Sequence, residues 1–149
     1  MNKNLTEARD LVVQHLADYL TQAERETLTF TPWGEDVARR VKEYALRGKM
    51  LRGALVGFSY RLFHPEGALP RSCVEAGVAM ELLQSFLLIH DDIMDQDELR
   101  RGGPSIHTQY RTAAPNEGGA AQYGLSLGIC AGDISAFLAM ERLATMDAN

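Results

Sequence analysis

The sequence predicts an all-α fold, organised as a layered bundle within a single domain. Apolar residues recur at steps of three and four along nearly all of the 149 residues, which is the period of a helix buried on one side. No segment shows the alternation of apolar and polar residues that is typical of a half-buried strand. Hydrophobic residues form 46% of the chain and charged residues 23%, which is enough apolar material for one compact core.

Three helices are predicted in the first half of the chain. The first spans residues 6–26, and the Thr-Pro-Trp-Gly sequence at 31–34 separates it from a second helix over residues 35–46. The second helix has acidic residues in its first turn, where they favour the helix dipole, and stops before a glycine. The third starts near Lys49, carries a row of apolar residues and ends at the turn residues 64–67.

The fourth predicted helix, residues 71–97, contains the longest apolar run and holds three aspartates at its C-terminal end. Residues 100–119 are rich in Gly, Pro, Asn and Thr, which predicts a long loop. A fifth helix follows over residues 121–144. We expect its inward face to consist of Leu125, Ile129, Ile134, Phe137, Leu138 and Leu143.

Charge and composition narrow the class of protein. The net charge of −5 does not favour binding to nucleic acid or to an anionic membrane surface. The longest apolar run, near residues 86–89, is too short to cross a bilayer, and the polar N-terminus does not resemble a signal peptide. Cys73 and Cys130 lack metal-type spacing and are predicted to be small core residues in a reducing compartment. We therefore expect a cytoplasmic protein.

The acidic cluster of Asp91, Asp92 and Asp95 is the strongest functional signal. At helical spacing these carboxylates converge on one face, where they repel one another and oppose the negative C-terminal end of the helix dipole. A bound cation would resolve this conflict, and hard oxygen ligands select Mg²⁺, which keeps several waters and bridges to substrate phosphates. The cluster therefore predicts a magnesium site with these three residues as catalytic metal ligands.

Two other metal sites do not fit this region. A calcium loop of the EF-hand type that started at Asp91 would need an oxygen ligand at Ile93 and a glycine at Gln96. A di-iron bundle would need Glu-x-x-His pairs, and the sequence has none.

A second group of residues predicts an anion site. Gly48 interrupts the helical pattern and is followed by Lys49 and Arg52, so that backbone N–H groups and two cations could meet one anion at a helix start. Taken alone, this is an ordinary solvated basic turn, and Gln84 alone is an ordinary buried amide. Together with the aspartates they predict two separate phosphate sites, one through metal and one through direct cation contact.

The order and spacing of these motifs resemble the first half of the trans-type polyprenyl diphosphate synthases, the family of farnesyl and geranylgeranyl diphosphate synthases. The resemblance runs from about Arg47 to Leu143 and includes residues 99–104 and the Ala-Gly-Asp sequence at 131–133. It implies an antiparallel helix bundle of the isoprenoid synthase type around a deep cavity, usually assembled as a homodimer. It also implies the reaction, in which an allylic prenyl diphosphate ionises and is attacked by isopentenyl diphosphate.

The resemblance assigns roles to individual residues. Asp91, Asp92 and Asp95 would hold Mg²⁺ ions that bind the allylic diphosphate, with Arg100 as a further contact to that group. The residues that would bind isopentenyl diphosphate directly are Lys49, Arg52, Gln84 and Arg101.

Phe86 and Leu87 lie about one helical turn before the aspartates. In the family, bulk at these positions limits the length of the product, so they are assigned to a chain-length pocket. An aromatic residue at the first of these positions resembles enzymes with short products, which would be geranylgeranyl or farnesyl diphosphate.

The sequence departs from the family in one respect. A second aspartate-rich motif, which the family carries in its second half, has no counterpart here. We therefore expect residues 1–149 to be the N-terminal part of a single isoprenoid synthase domain, truncated relative to the family. The apolar stripe of the fourth helix would then be partly bare, which predicts either aggregation or a partner.

Three interpretations stay open. The chain is the N-terminal portion of a prenyltransferase, one subunit of a split enzyme that a second chain completes, or a non-catalytic partner of a full-length synthase. A terpene cyclase uses a similar acidic motif but needs no isopentenyl site. Lys49, Arg52 and Gln84 therefore favour chain elongation over cyclisation.

Overall fold

The computed structural model describes residues 3–27 and 31–146, and these ranges confirm the all-α prediction. The predicted domain limits at residues 1 and 149 lie outside the described residues. The described part of the chain contains six α-helices, namely α1 (Lys3–Gln22), α2 (Pro32–Leu46), α3 (Leu51–Phe63), α4 (Arg71–Met94), α5 (Ile106–Thr112) and α6 (Ala120–Ala144). A π-helical turn, Ala23–Thr27, extends α1, and a 3₁₀ turn, Glu117–Gly119, leads into α6.

The start of α2 and the end of α4 differ from the prediction. Thr31 has extended backbone, and its side chain accepts a hydrogen bond from the Gly34 N–H at 3.1 Å, so that it caps α2, with Pro32 as the first helical residue. The predicted break at 31–34 is therefore the beginning of the helix. At the other end, α4 stops at Met94 and Asp95 is its C-cap.

The predicted loop at 100–119 is wrong for much of its length. Leu99–Arg100 (β1) and Gly103–Pro104 (β2) form a two-stranded antiparallel hairpin, in which Arg100 pairs with Gly103. Both turn residues, Arg101 and Gly102, have positive φ (53° and 77°), as in a type I′ turn. Strands of two residues are too short to show alternation in a sequence, and α5, with only seven residues, is too short to show a helical period.

Helix α4 lies at the centre of the bundle and packs against α1, α3 and α6. Small residues allow this close approach. A Cβ atom at Gly77 of α4 would lie 2.9 Å from the Gly53 carbonyl oxygen of α3 and 2.7 Å from a methyl group of Val12 of α1. Toward α6, the Ser135 hydroxyl donates a hydrogen bond to the Leu82 carbonyl at 2.9 Å. Helices α1, α3 and α6 therefore all approach the backbone of α4 closely.

The inward face predicted for α6 is largely wrong. Of the six predicted residues only Leu138 is fully buried and Ile134 partly so, while the other four are exposed. Cys130, predicted to be a core residue, is also exposed. The buried face consists instead of small residues that fit against α4 and α5, namely Gly124, Gly128, Ala131, Gly132, Ser135, Ala136 and Ala139, with Leu138.

The core consists of two apolar clusters. One joins α1 to the N-terminal half of α4, and the other lies beneath the aspartates. The members of the second cluster are Val37, Val41, Tyr44, Ile89, Ile106, Tyr110 and Ala131.

In the described part of the chain, large apolar side chains remain exposed on several helices, among them α4, in line with the prediction that the stripe of α4 is partly bare. Length and composition alone would allow α4 and the segment Glu117–Ala144 to cross a membrane, but about half of each is buried in the bundle (50% and 44%), as in core helices. Among the described residues, the most exposed large apolar side chains are Leu55, Leu62 and Phe63 of α3, Leu87 and Met94 of α4, Leu99 of β1, and Phe137 and Met140 of α6.

Gly77→Ala tests the contact between α1, α3 and α4. The added methyl group meets a backbone carbonyl that cannot move aside, so we expect the free energy of unfolding to fall by about 1–3 kcal/mol in spite of the better helix propensity of alanine. Gly118→Ala is the matched control, because no atom lies within 4 Å of the added Cβ. Urea denaturation measures both variants, and equal stability of Gly77→Ala and wild type would contradict the packing described here.

Candidate active site

The C-terminal end of α4 holds a buried carboxylate with two donors. Asp92 is fully buried; its Oδ2 accepts a hydrogen bond from the Tyr44 hydroxyl at 2.9 Å, and its Oδ1 accepts one from Arg100 Nε at 2.5 Å. Burial and the neighbouring carboxylate raise the pKa of Tyr44, so that the phenol stays protonated and remains a donor. Asp92 thus joins α2, α4 and the hairpin through charge and hydrogen bonding.

Arg100 is the counter-ion of the acidic cluster. Its Nη2 lies 2.9 Å from Asp97 Oδ2 and 3.4 Å from Asp91 Oδ2, in addition to the bond with Asp92. The hydrogen bond to Asp92 is the main cause that raises the pKa of Arg100. One guanidinium group therefore offsets part of the repulsion between three carboxylates.

The three predicted metal ligands do not face one point. Asp92 is turned toward the core, whereas Asp91 is about half exposed and Asp95 is exposed, with no side-chain partner in the described ranges. Within residues 3–27 and 31–146, no three acidic, histidine or cysteine side chains converge as a metal site. Asp91 and Asp95, four residues apart, nevertheless offer carboxylate oxygens toward solvent. This donor set fits Mg²⁺, which prefers one or two carboxylates and retains waters.

The predicted anion site is a pocket of about 300 Å³ between the start of α3 and the hairpin. Its lining includes Lys49, Arg52 and Arg101, so the structure brings together three of the four residues assigned to isopentenyl diphosphate. Gln84, the fourth, is half-buried on α4 and does not line this pocket. Arg47 lines the pocket as well.

The cations of this pocket lack acidic partners. Among the residues that the structure describes, nine of the fifteen lysines and arginines have a carboxylate oxygen within 4.0 Å, which leaves six without one. Four of those six line the pocket. Its single carboxylate, Glu81, is buried and accepts a hydrogen bond from the Gly53 N–H at 2.7 Å. The pocket therefore carries excess positive charge and favours an anion.

The two residues assigned to the chain-length pocket lie on α4, one turn before the aspartates. Phe86 is half-buried and packs edge-to-face on His90, with ring centroids 4.8 Å apart, whereas Leu87 is 56% exposed. His90 Nδ1 lies 3.0 Å from the Phe86 carbonyl oxygen, and its Nε2 lies 3.6 Å from Asp133 of α6. The Leu87 position is thus an open surface in this chain rather than an enclosed wall.

The sequence did not point to Tyr44 or Arg47. Tyr44 reads as one more core residue of α2, since Val37 and Val41 precede it at helical spacing. Arg47 comes directly before the Gly-Lys motif, and that adjacency is the only signal for it in the sequence.

Comparison with known proteins places this arrangement in a family. The sequence pattern of the family described as "Polyprenyl synthetase" matches residues 35–149, which include both the acidic cluster and the basic pocket. The chain belongs to this family. The predicted resemblance is therefore confirmed.

Individual relatives agree with this assignment. Geranylgeranyl diphosphate synthase of Sulfolobus acidocaldarius is 41% identical over 87 residues, covering 58% of this chain and 22% of that protein. The (2E,6E)-farnesyl diphosphate synthase of Mycobacterium tuberculosis is 31% identical over 136 residues, covering 91% of this chain and 33% of that protein. The chain thus spans a third or less of these relatives.

A solved structure confirms the isoprenoid synthase fold. A crystal structure of geranylgeranyl pyrophosphate synthase from Corynebacterium glutamicum, complexed with isoprenyl diphosphate and magnesium, superposes with a TM-score of 0.83 at 26% identity. The match covers 100% of this chain and 43% of that one.

Proposed function

We propose that this chain takes part in the elongation of isoprenoids, by condensing isopentenyl diphosphate head-to-tail with an allylic prenyl diphosphate in a Mg²⁺-dependent reaction. The observation that carries this proposal is the pairing of an acidic cluster on α4 with a separate pocket of unpaired cations. Names of relatives that make geranylgeranyl and farnesyl diphosphate support a short product. We further propose that the protein acts in the cytoplasm and as a homodimer or with a complementary chain.

The acidic cluster would serve the allylic substrate. Asp91 and Asp95 would hold Mg²⁺, which when bound supplies positive charge against the diphosphate leaving group. Asp92 fixes the orientation of Arg100, whose Nη2 faces the exposed carboxylates and can turn to a diphosphate oxygen. Arg100 would then stabilise the charge that develops as the C–O bond breaks.

The basic pocket would hold the second substrate by direct contact. Lys49, Arg52 and Arg101 would bind the diphosphate of isopentenyl diphosphate, and binding there orients its double bond toward the allylic carbon. Phe86 and Leu87 would meet the growing hydrocarbon tail. No side chain needs to act as a covalent nucleophile, so positioning and electrostatics carry the catalysis.

Product analysis tests the proposal. The chain is incubated with Mg²⁺, labelled isopentenyl diphosphate and, separately, dimethylallyl, geranyl or farnesyl diphosphate. We expect labelled products one or more isoprene units longer than the primer, and none when EDTA replaces Mg²⁺. Absence of product, while a full-length homologous synthase elongates the same primers in parallel, would contradict the activity of this chain alone.

A second candidate function is that of a non-catalytic fragment or a subunit that needs a partner chain. The exposed apolar side chains favour it, because Phe63, Leu87, Met94 and Phe137 are each more than half exposed on a protein that is otherwise well packed. Binding of both diphosphates without elongation would select this candidate over the first.

A further inference from the structure

Arg47 is a cation of the basic pocket that belongs to none of the motifs predicted from the sequence. It is the C-cap of α2, and its side chain lines the pocket beside Lys49, Arg52 and Arg101. We propose that Arg47 is a fourth phosphate-binding residue of this pocket, an inference that rests on the proposed function.

Three contacts hold the guanidinium of Arg47 at the edge of the pocket. Nε donates to the Glu43 carbonyl, and Nη2 donates to the Pro104 carbonyl of the hairpin, each at 3.3 Å. The group also lies over the Tyr44 ring, 5.5 Å from its centroid, which is a cation–π distance. All these partners are neutral, so Arg47 is oriented while its charge stays uncompensated.

The remaining donors of Arg47 are sufficient for a phosphate. A guanidinium group has about five N–H donors in a planar fork, and the two contacts above use two of them. Both of these bonds, at 3.3 Å, are longer than the usual range of about 2.7–3.2 Å for N–H···O hydrogen bonds, so they can be exchanged for stronger bonds to an anion. Within the described residues, no carboxylate lies within 4.0 Å to occupy the other donors.

Two glycines make room for two guanidinium groups. A Cβ atom at Gly103 of the hairpin would occupy the place of Arg47 Nη1, and a Cβ atom at Gly48 would occupy the place of Arg101 Nη1. Each arginine therefore lies against a glycine of the opposite segment, and both line the same pocket. The pocket holds four cations and one carboxylate, so the cations repel one another until an anion binds.

Calorimetric titration with isopentenyl diphosphate, and with inorganic diphosphate as the minimal probe, tests the proposal. We expect Arg47→Gln to raise the Kd about 10-fold or more, the usual effect of losing hydrogen bonds to a charged group. Arg47→Lys keeps the charge but loses the fork, and we expect an intermediate Kd. Arg25→Gln is the matched control, since Arg25 is exposed, has no carboxylate partner among the described residues and lies outside the pocket.

A structural role is separated from phosphate binding by the dependence of Kd on salt. Loss of one phosphate-binding cation makes the dependence of Kd on salt shallower. Partial unfolding instead lowers the fraction of chains that bind and leaves the salt dependence of the folded chains unchanged. Gly103→Ala gives a second route, because it displaces the Arg47 guanidinium without removing it, and we expect it too to weaken binding.

The outcomes are distinct. An unchanged Kd in Arg47→Gln overturns the role of Arg47. If that variant fails to fold, an unchanged Kd in Gly103→Ala overturns it instead. Weaker binding of the probes by Lys49→Ala would still support the pocket as a phosphate site. A wild-type chain that binds neither probe overturns both the role of Arg47 and the proposed function.

Discussion

Asp92→Ala is expected to lower the free energy of unfolding by about 3 kcal/mol. The substitution leaves the buried Tyr44 hydroxyl without its acceptor and removes the carboxylate that Arg100 Nε contacts. An unsatisfied buried donor alone costs about 1–3 kcal/mol, and the lost charge pair adds to it. Arg100 is one-quarter exposed and can turn partly to water, which limits the total.

Urea denaturation followed by circular dichroism measures this effect. Asp95→Ala is the matched control, because Asp95 belongs to the same cluster but is exposed and has no side-chain partner in the described part of the chain. We expect the control to stay within about 0.5 kcal/mol of wild type. If both variants unfold at the same denaturant concentration, the contacts of Asp92 do not contribute the predicted stability.

Asp91→Asn is expected to weaken Mg²⁺-dependent binding of an allylic diphosphate about 100-fold, because it removes a half-exposed oxygen ligand and a negative charge from the proposed magnesium site. Binding of isopentenyl diphosphate should change little, since the basic pocket lies elsewhere. Lys49→Ala should do the reverse, weakening isopentenyl diphosphate about 10-fold and leaving the allylic substrate nearly unaffected.

Calorimetry with each diphosphate, with Mg²⁺ and with EDTA, measures the two effects. Glu66→Gln serves as the control, because it removes an exposed carboxylate of the turn before α4 that lines neither site. The assignment is supported if Asp91→Asn weakens mainly the allylic diphosphate and Lys49→Ala weakens mainly isopentenyl diphosphate. Equal binding by wild type and both variants would rule out the assignment of the two sites.

The long helices could be predicted from the sequence because each buries one face over many turns. The hairpin and α5 could not, since two-residue strands and a seven-residue helix carry no period. Residues Ile106 and Tyr110, four apart and both buried, were the only trace of α5. The Arg-Arg-Gly-Gly sequence at 100–103 is typical of a turn, but the prediction included it in one long loop.

The error on α6 has a physical cause. Hydrophobic periodicity identifies the most apolar face, but the face of α6 that touches α4 consists mostly of small residues. A Cβ atom at Gly132 would overlap the His90 ring, and one at Gly128 would lie 3.0 Å from Ile93, so this face has no room for bulky side chains. Phe137 is left on the outside. A sequence that is apolar all round does not reveal which side is buried.

The chemistry of the side chains identifies the site residues in the sequence. It does not predict which of these residues contact one another. Charge, order and spacing located the aspartates and the basic motif without any knowledge of the fold. Nothing in the spacing could show that Asp92 points inward to Tyr44, because the two are 48 positions apart in the sequence. The place of Arg47 likewise depends on the hairpin, which folds back on it from more than fifty residues away.

The β1–β2 hairpin also fixes the distance between the backbone positions of two neighbouring arginines. Arg100 reaches the acidic cluster and the next residue, Arg101, lines the basic pocket, so the two proposed substrate sites are connected through a single peptide bond. Consecutive Cα atoms are held about 3.8 Å apart by covalent geometry, which side-chain motions do not alter. The anchor points of the two guanidinium groups therefore keep one separation, whatever the surrounding helices do. Inserting one residue between Arg100 and Arg101 would change this separation while keeping every residue of the motifs.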